Sequence, residues 1–193
     1  MLAALVLAAA ASLPPIAIRV GAPATMPRHV VSRVLDEAST IWHESGVRLT
    51  WRAAVDGEPA LQIIIDDDPG PAAGGAVAVG WIRFDGGTPR PEIHLSRANV
   101  ISGLASVRGP RGMWKAGDAF GDDDIIATAL GRALAHEVGH YLLGSRVHGR
   151  GLMAAEWTAE ELFGADRPMF RLSAADRAAV VDRLSREAIL AQR

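Results

Sequence analysis

Apolar residues recur at three- and four-residue spacing between Pro27 and Glu44, so that Val30, Val31, Val34, Leu35, Ala38, Ile41 and Trp42 would share one side of a helix. Pro27 suits the first turn of that helix and Gly46 its stop. Around it lie short β-rich runs that predict five strands: Ile16 to Val20, Val47 to Trp51, Leu61 to Ile65, Ala76 to Phe84 and Glu92 to Leu95. Asp85-Gly86-Gly87 marks a turn between the last two. Residues 96 to 121 carry five glycines, one proline, Trp114 and Phe120, and read as a long irregular connection with a short helix near Asn99 to Val107. Asp122, Asp123 and Asp124 suit the positive end of a second long helix, on which Ile126, Leu130, Leu134 and Val138 line a core face. A closing helix starts at Ser173, with Asp176 three residues on, and carries Val180, Val181, Leu184 and Ile189 on one face to about Leu190.

With 193 residues and no internal repeat, the chain is expected to form one domain over 14–193, preceded by an apolar leader over 1–13. That leader is too short to span a bilayer, which takes about 20 residues. It matches the apolar centre and small-residue end of a secretory signal, although no positive charge precedes it. A secreted or periplasmic protein is expected, or a cytoplasmic one if the run is not a signal. The net charge of −2 points to neither nucleic acid nor an anionic membrane as partner. A monomer is expected. The absence of cysteine excludes disulfides, thiolate metal sites and cysteine nucleophiles.

The candidate chemistry lies in His136-Glu137-Val138-Gly139-His140, followed by Gly144, His148 and Met153. On a helix, His136 and His140 leave the same face one turn apart, a face distinct from that of Leu130, Leu134 and Val138. That geometry can hold one zinc ion, with Glu137 placed to reach a metal-bound water without ligating the metal. A catalytic zinc takes three protein ligands and keeps a fourth position open, and His148 is the natural third. Gly144 lies where such a helix would end, because glycine accepts the left-handed conformation that turns the chain. The other histidines carry less weight: His29 and His43 flank the first helix as solvated side chains, and His94 on the fifth strand is read as packing, with a fourth metal contact as the alternative. Asp66-Asp67-Asp68 is read as a solvated turn rather than a calcium site, since Ca2+ needs 6 to 8 oxygen ligands in a defined arrangement.

The run resembles the signature of the metzincin zinc endopeptidases, H-E-x-x-H-x-x-G-x-x-H followed by a turn methionine. By that resemblance Glu137 is the general base, His136, His140 and His148 are the zinc ligands and Met153 is the methionine beneath the metal. Gly144 and His148 each come later than in the strict signature, so the helix must run one residue further and the loop to His148 must be longer. No tyrosine follows Met153 closely. The resemblance implies an α+β fold with a twisted, mostly parallel five-stranded sheet, a backing helix, an active-site helix and a C-terminal helix. It also implies that an edge strand lies along the cleft, with the stretch around Trp81 to Phe84 favoured and Trp81 and Arg83 as candidate substrate contacts. The expected activity is hydrolysis of peptide bonds in a protein or peptide substrate, with zinc activating water and Glu137 taking and passing on its proton.

Two other readings stay open. In a thermolysin-like enzyme the third ligand would be a downstream glutamate, and Glu156, Glu160 and Glu161 lie at suitable distances, with Thr158 to Phe163 able to form a helix. Alternatively, the zinc could stabilise a non-catalytic binding domain, although such a site has no need of Glu137 and normally closes with four ligands. A non-peptide amide is a further substrate class that the motif admits.

Overall fold

The computed structural model describes residues 11–12, 15–71, 78–107 and 122–191, with side chains from 15 to 183 within those ranges. The leader expected over 1–13 therefore lies largely outside the described residues, as do Trp114 and Phe120. Ala11–Ser12 forms a two-residue strand, β1. The succession then runs β2 (Ile16–Gly21), α1 (Arg28–Glu44), β3 (Val47–Arg48), β4 (Trp51–Ala53), β5 (Leu61–Asp66), β6 (Gly80–Asp85), β7 (Thr88–Ser96), α2 (Arg97–Val107), α3 (Asp122–Leu143), α4 (Ala159–Phe163) and α5 (Ala174–Ala191). This is a mixed α+β fold around a five-stranded sheet of order β4-β2-β5-β7-β6. The pairs β2–β4, β2–β5 and β5–β7 are parallel, and only β6 runs antiparallel, on the edge beside β7.

Alternation in β5 sends Leu61, Ile63 and Ile65 into the core and leaves Gln62, Ile64 and Asp66 half-buried. Ile93 and Leu95 of β7 join them, with Val30, Val34, Ala38 and Ile41 from α1 and Leu130, Leu134 and Val138 from α3. The two long helices cross closely. A Cβ on Gly131 of α3 would come within 2.6 Å of Glu37 Cβ and 2.9 Å of Val34 O, so only glycine fits there. Trp42 Nε1 of α1 donates to Ala135 O of α3 at 3.1 Å, satisfying a buried indole at that crossing.

Three boundaries differ from those the pattern predicts. The run Val47 to Trp51 is two strands rather than one: β3 pairs with β1, and β4 pairs with β2. Pro15, just before β2, has no N–H to offer a ladder. β7 starts at Thr88, four residues before the predicted Glu92. Its Thr88 to Pro91 segment extends past β5, whose pairing begins at Glu92, so the prolines sit where one side of the strand is open. The strand predicted over Ala76 to Phe84 begins at Gly80 and runs to Asp85; Ala76 and Val77 lie outside the described residues.

The acidic turn after β5 is structural. Asp66 Oδ1 accepts from Asp68 N at 3.0 Å and Asp68 Oδ1 from Gly70 N at 2.9 Å, while Asp67 takes a two-pronged bond from Arg97 at 3.0 and 2.7 Å. Each carboxylate has a local task, and the three do not converge as calcium ligands would. No described helix is long and apolar enough to cross a membrane.

Candidate metal centre

α3 carries the motif, and it is buried almost all round from Ala127 to His140. A helix so enclosed can present polar groups only where something receives them. It ends at Leu143, with Gly144 at φ +62° as the left-handed stop. Ser145 N donates back to His140 O at 3.3 Å, and Arg183 Nη1 donates to Tyr141 O at 3.3 Å, so a cation from α5 meets the negative end of the helix. The later glycine is thus accommodated by one more helical residue, as its position predicts.

His136, His140 and His148 converge. Their Nε2 atoms stand 3.0 Å apart for His136 and His140 and 3.3 Å for His140 and His148. The three donors lie within 4.8 Å of one another. The opposite ring nitrogens explain why these can be ligands. His136 Nδ1–H donates to Leu152 O at 2.7 Å, and His140 Nδ1–H donates to Ser145 O at 2.7 Å. A carbonyl can only accept, so each Nδ1 must hold the proton and each neutral ring turns an unprotonated Nε2 inward. Two such lone pairs 3.0 Å apart repel each other unless an electron-pair acceptor lies between them. Nitrogen donors about 2.0–2.1 Å from a tetrahedral ion would stand roughly 3.3 Å apart, which agrees with the separations found. The donor set therefore fits a metal ion. Burial pushes the His136 imidazolium down to about 4 and lowers that of His140 as well, favouring the neutral, ligating form.

The loop from Ser145 to Met153 brings His148 back to the helix. Gly149 N donates to Met153 O at 2.7 Å, and a 3-10 turn over Gly151–Met153 presents Leu152 O to His136. Met153 is fully buried under Gly139, where any Cβ would collide with its Sδ. Gly151 has φ +63°, and a Cβ there would strike Arg171 O, the acceptor of Leu152 N. Gly151→Ala is therefore expected to destabilise the protein by about 1–3 kcal/mol through strain. It should also weaken metal binding by about 10–100-fold, because the carbonyl that orients His136 moves. Thermal unfolding and metal titration check both.

Glu137 points to the edge strand and not into the triad. Its carboxylate accepts from the Ile82 backbone N–H, and burial pushes its pKa up to about 8, the hydrogen bond only partly opposing this. In chelated protein the signs follow from linkage. Between the ordinary value of 4.5 and about 8 the native state holds a Glu137 proton that the unfolded chain has lost, so stability falls as pH rises. His136 acts oppositely between about 4 and 6.5, where the unfolded chain holds the extra proton and stability rises with pH. Of these two groups, only Glu137 still contributes from pH 6.5 to 8. Chelated wild type is expected to lose stability across that window, and Glu137→Gln to flatten it; denaturant melts at the two ends measure this.

A cleft of about 630 Å3 runs along β6, lined by Trp81, Arg83, Phe84, Glu137, His140 and His148 among others. A second hollow of about 340 Å3 shares Glu137 and His148 with it and extends to Val79, Ala133, Trp157 and Leu162. Trp157 is a site residue that the pattern of the chain did not single out. Its ring meets His136 edge-on at 5.2 Å and Phe170 at 5.0 Å, and Arg132 lies 4.7 Å over Phe170. Arg132 is itself buried, donates to Leu162 O at 3.1 Å and Asp166 O at 3.2 Å, and pairs with Glu37, which Arg167 also binds at 2.7 Å. That network anchors the wall behind the second hollow. A further hollow lined by Arg33, Glu37, Asp124 and Arg167 shares no residue with these two.

Trp81 is buried and stacks on His94 with ring centroids 5.1 Å apart. His94 bonds Glu92 at 2.9 Å and takes no part in the triad, in keeping with a packing role. Among the described residues, the downstream glutamates are not among the converging donors. Glu161 closes a capping box with Thr158 at the start of α4, and Glu156 only lines the second hollow. No known protein-family model matches the chain, and no curated protein is significantly similar to it.

Proposed function

We propose that the chain is a zinc-dependent endopeptidase, with His136, His140 and His148 holding the metal and Glu137 as general base and then general acid. The observation that carries the reading is the buried Glu137 side chain beside three converging imidazole nitrogens, two of them fixed as unprotonated by their carbonyl partners, where two hollows meet. Zinc, when bound, would supply an activated water and a Lewis acid for the scissile carbonyl. Glu137 takes a proton at its carboxylate and delivers it to the leaving amine, and the Ile82 N–H keeps that carboxylate oriented in both states. The antiparallel edge strand β6 offers backbone groups to an extended peptide. Leu152 O and Ser145 O hold the two helix imidazoles in one tautomer, so the ligand set is organised before substrate arrives.

Three donors and a cleft that reaches them favour catalysis over a purely structural ion, which normally takes four protein ligands. The test is cleavage of denatured casein by purified protein, by chelated protein, and by chelated protein given back zinc. Activity lost on chelation and restored by zinc is the expected result. A zinc-loaded, folded chain without activity on casein or on a mixed peptide library would overturn it.

A further inference from the structure

The walls of the two hollows that meet at the histidines differ in charge. Arg83, Arg90 and Arg146 all line the β6 side, where the only carboxylates among the described residues are Asp85 and the buried Glu137. Asp85 is committed to Arg90, which binds it through Nε at 2.6 Å and Nη2 at 3.0 Å. Arg146 meets no carboxylate among the described residues. Its Nη2 donates to Phe84 O at 3.1 Å and its guanidinium lies 4.8 Å over the Phe84 ring, which fixes the fork and leaves other N–H groups without a partner among the described residues. Arg83 is exposed and has no hydrogen-bond or ion-pair partner among the described residues. Among the described residues the second hollow has no cationic wall, and beyond the site residues its one ionisable side chain is Glu156. The chain as a whole carries a net charge of −2, so this cationic wall is a local feature and not an overflow of general basicity.

Resting on the peptidase reading, we propose that Arg83 and Arg146 make the enzyme select peptides with an acidic side chain on one side only of the scissile bond, the side lying along β6. An extended substrate against β6 brings its side chains to the level of these guanidinium groups. A carboxylate there gains two cationic partners without displacing an existing ion pair, whereas a lysine is repelled. On the other side of the bond, next to Glu156, an acidic residue gains nothing.

The test uses eight-residue peptides in which Glu, Gln or Lys is moved through every position. Binding is measured on zinc-loaded Glu137→Gln protein, and cleavage on zinc-loaded wild type, each with and without the added change Arg83→Glu. Glu is expected to be preferred over Gln by about three- to tenfold at positions on one side of the bond, as one or two exposed charge pairs supply. Arg83→Glu should remove or invert the ratio between Glu and Gln peptides, and raised salt should shrink that ratio. A charge preference equal on both sides, or one indifferent to Arg83→Glu, overturns the proposal. If nothing is cleaved but binding prefers Glu over Gln at some peptide positions and loses that preference with Arg83→Glu, the recognition stands and the peptidase reading falls. If cleavage proceeds without regard to charge, the peptidase reading stands and the recognition falls.

Discussion

Zinc-loaded Glu137→Gln is expected to hold one ion per chain with unchanged affinity and to hydrolyse peptides about 10²–10⁴-fold more slowly than wild type. The size is what a positioned proton-transfer group contributes. Affinity should survive because Glu137 is not one of the converging donors. The fold should survive because a glutamine carbonyl has the same shape and still accepts from the Ile82 N–H. Glycine at position 80 leaves little room for anything larger, since a Cβ there would already come within 3.2 Å of Glu137 Cγ. Metal content measured beside peptide turnover decides the matter: a variant that keeps most of its activity removes Glu137 from the mechanism.

The second large effect concerns the third ligand. His148→Ala is expected to lower zinc affinity by more than the roughly 100-fold that marks the upper range for a supporting group, because a direct donor is lost. At the same time, the chelated variant should unfold within about 0.5 kcal/mol of chelated wild type, because His148 is exposed and belongs to no part of the core. His136→Ala should lose both affinity and stability, since its ring is buried against Trp157 and bonded to Leu152 O. The contrast between the two variants separates a ligand from a packing residue. Undiminished affinity in His148→Ala would return the third position to a downstream glutamate, and Glu156, which lines the adjoining hollow, would be the first to test.

The site was legible in the chain to the extent that helix periodicity and a few chemically committed residues could carry it. Histidines four apart on a run of helix formers must share a face, and Gly144 must stop that helix one residue later than in the signature the run resembles. Both hold in α3, which ends at Leu143. His148 was placed by its residue type and order alone, and the loop does bring it within reach. The partners of these groups were not legible, because they are backbone atoms. Ser145 O, Leu152 O and the Ile82 N–H belong to residues whose side chains say nothing of the role. The Trp157 ring against His136 and the Arg132–Phe170 stack behind it depend equally on how α4 and the following segment lie against α3.

By itself the sequence determined the kinds of element and the residue types available for chemistry. Alternation in β5, three- and four-residue spacing in α1, and glycines at positions of positive φ act over a few residues, where covalent geometry leaves few choices. The tertiary structure decided which strands pair, that one run divides into β3 and β4, and that β7 extends through two prolines where β5 no longer flanks it. It alone decided the electrostatics of the site. The pKa values of His136 and Glu137 move in opposite directions from one cause, burial, which arises only when distant segments close over α3 and remove water from both groups.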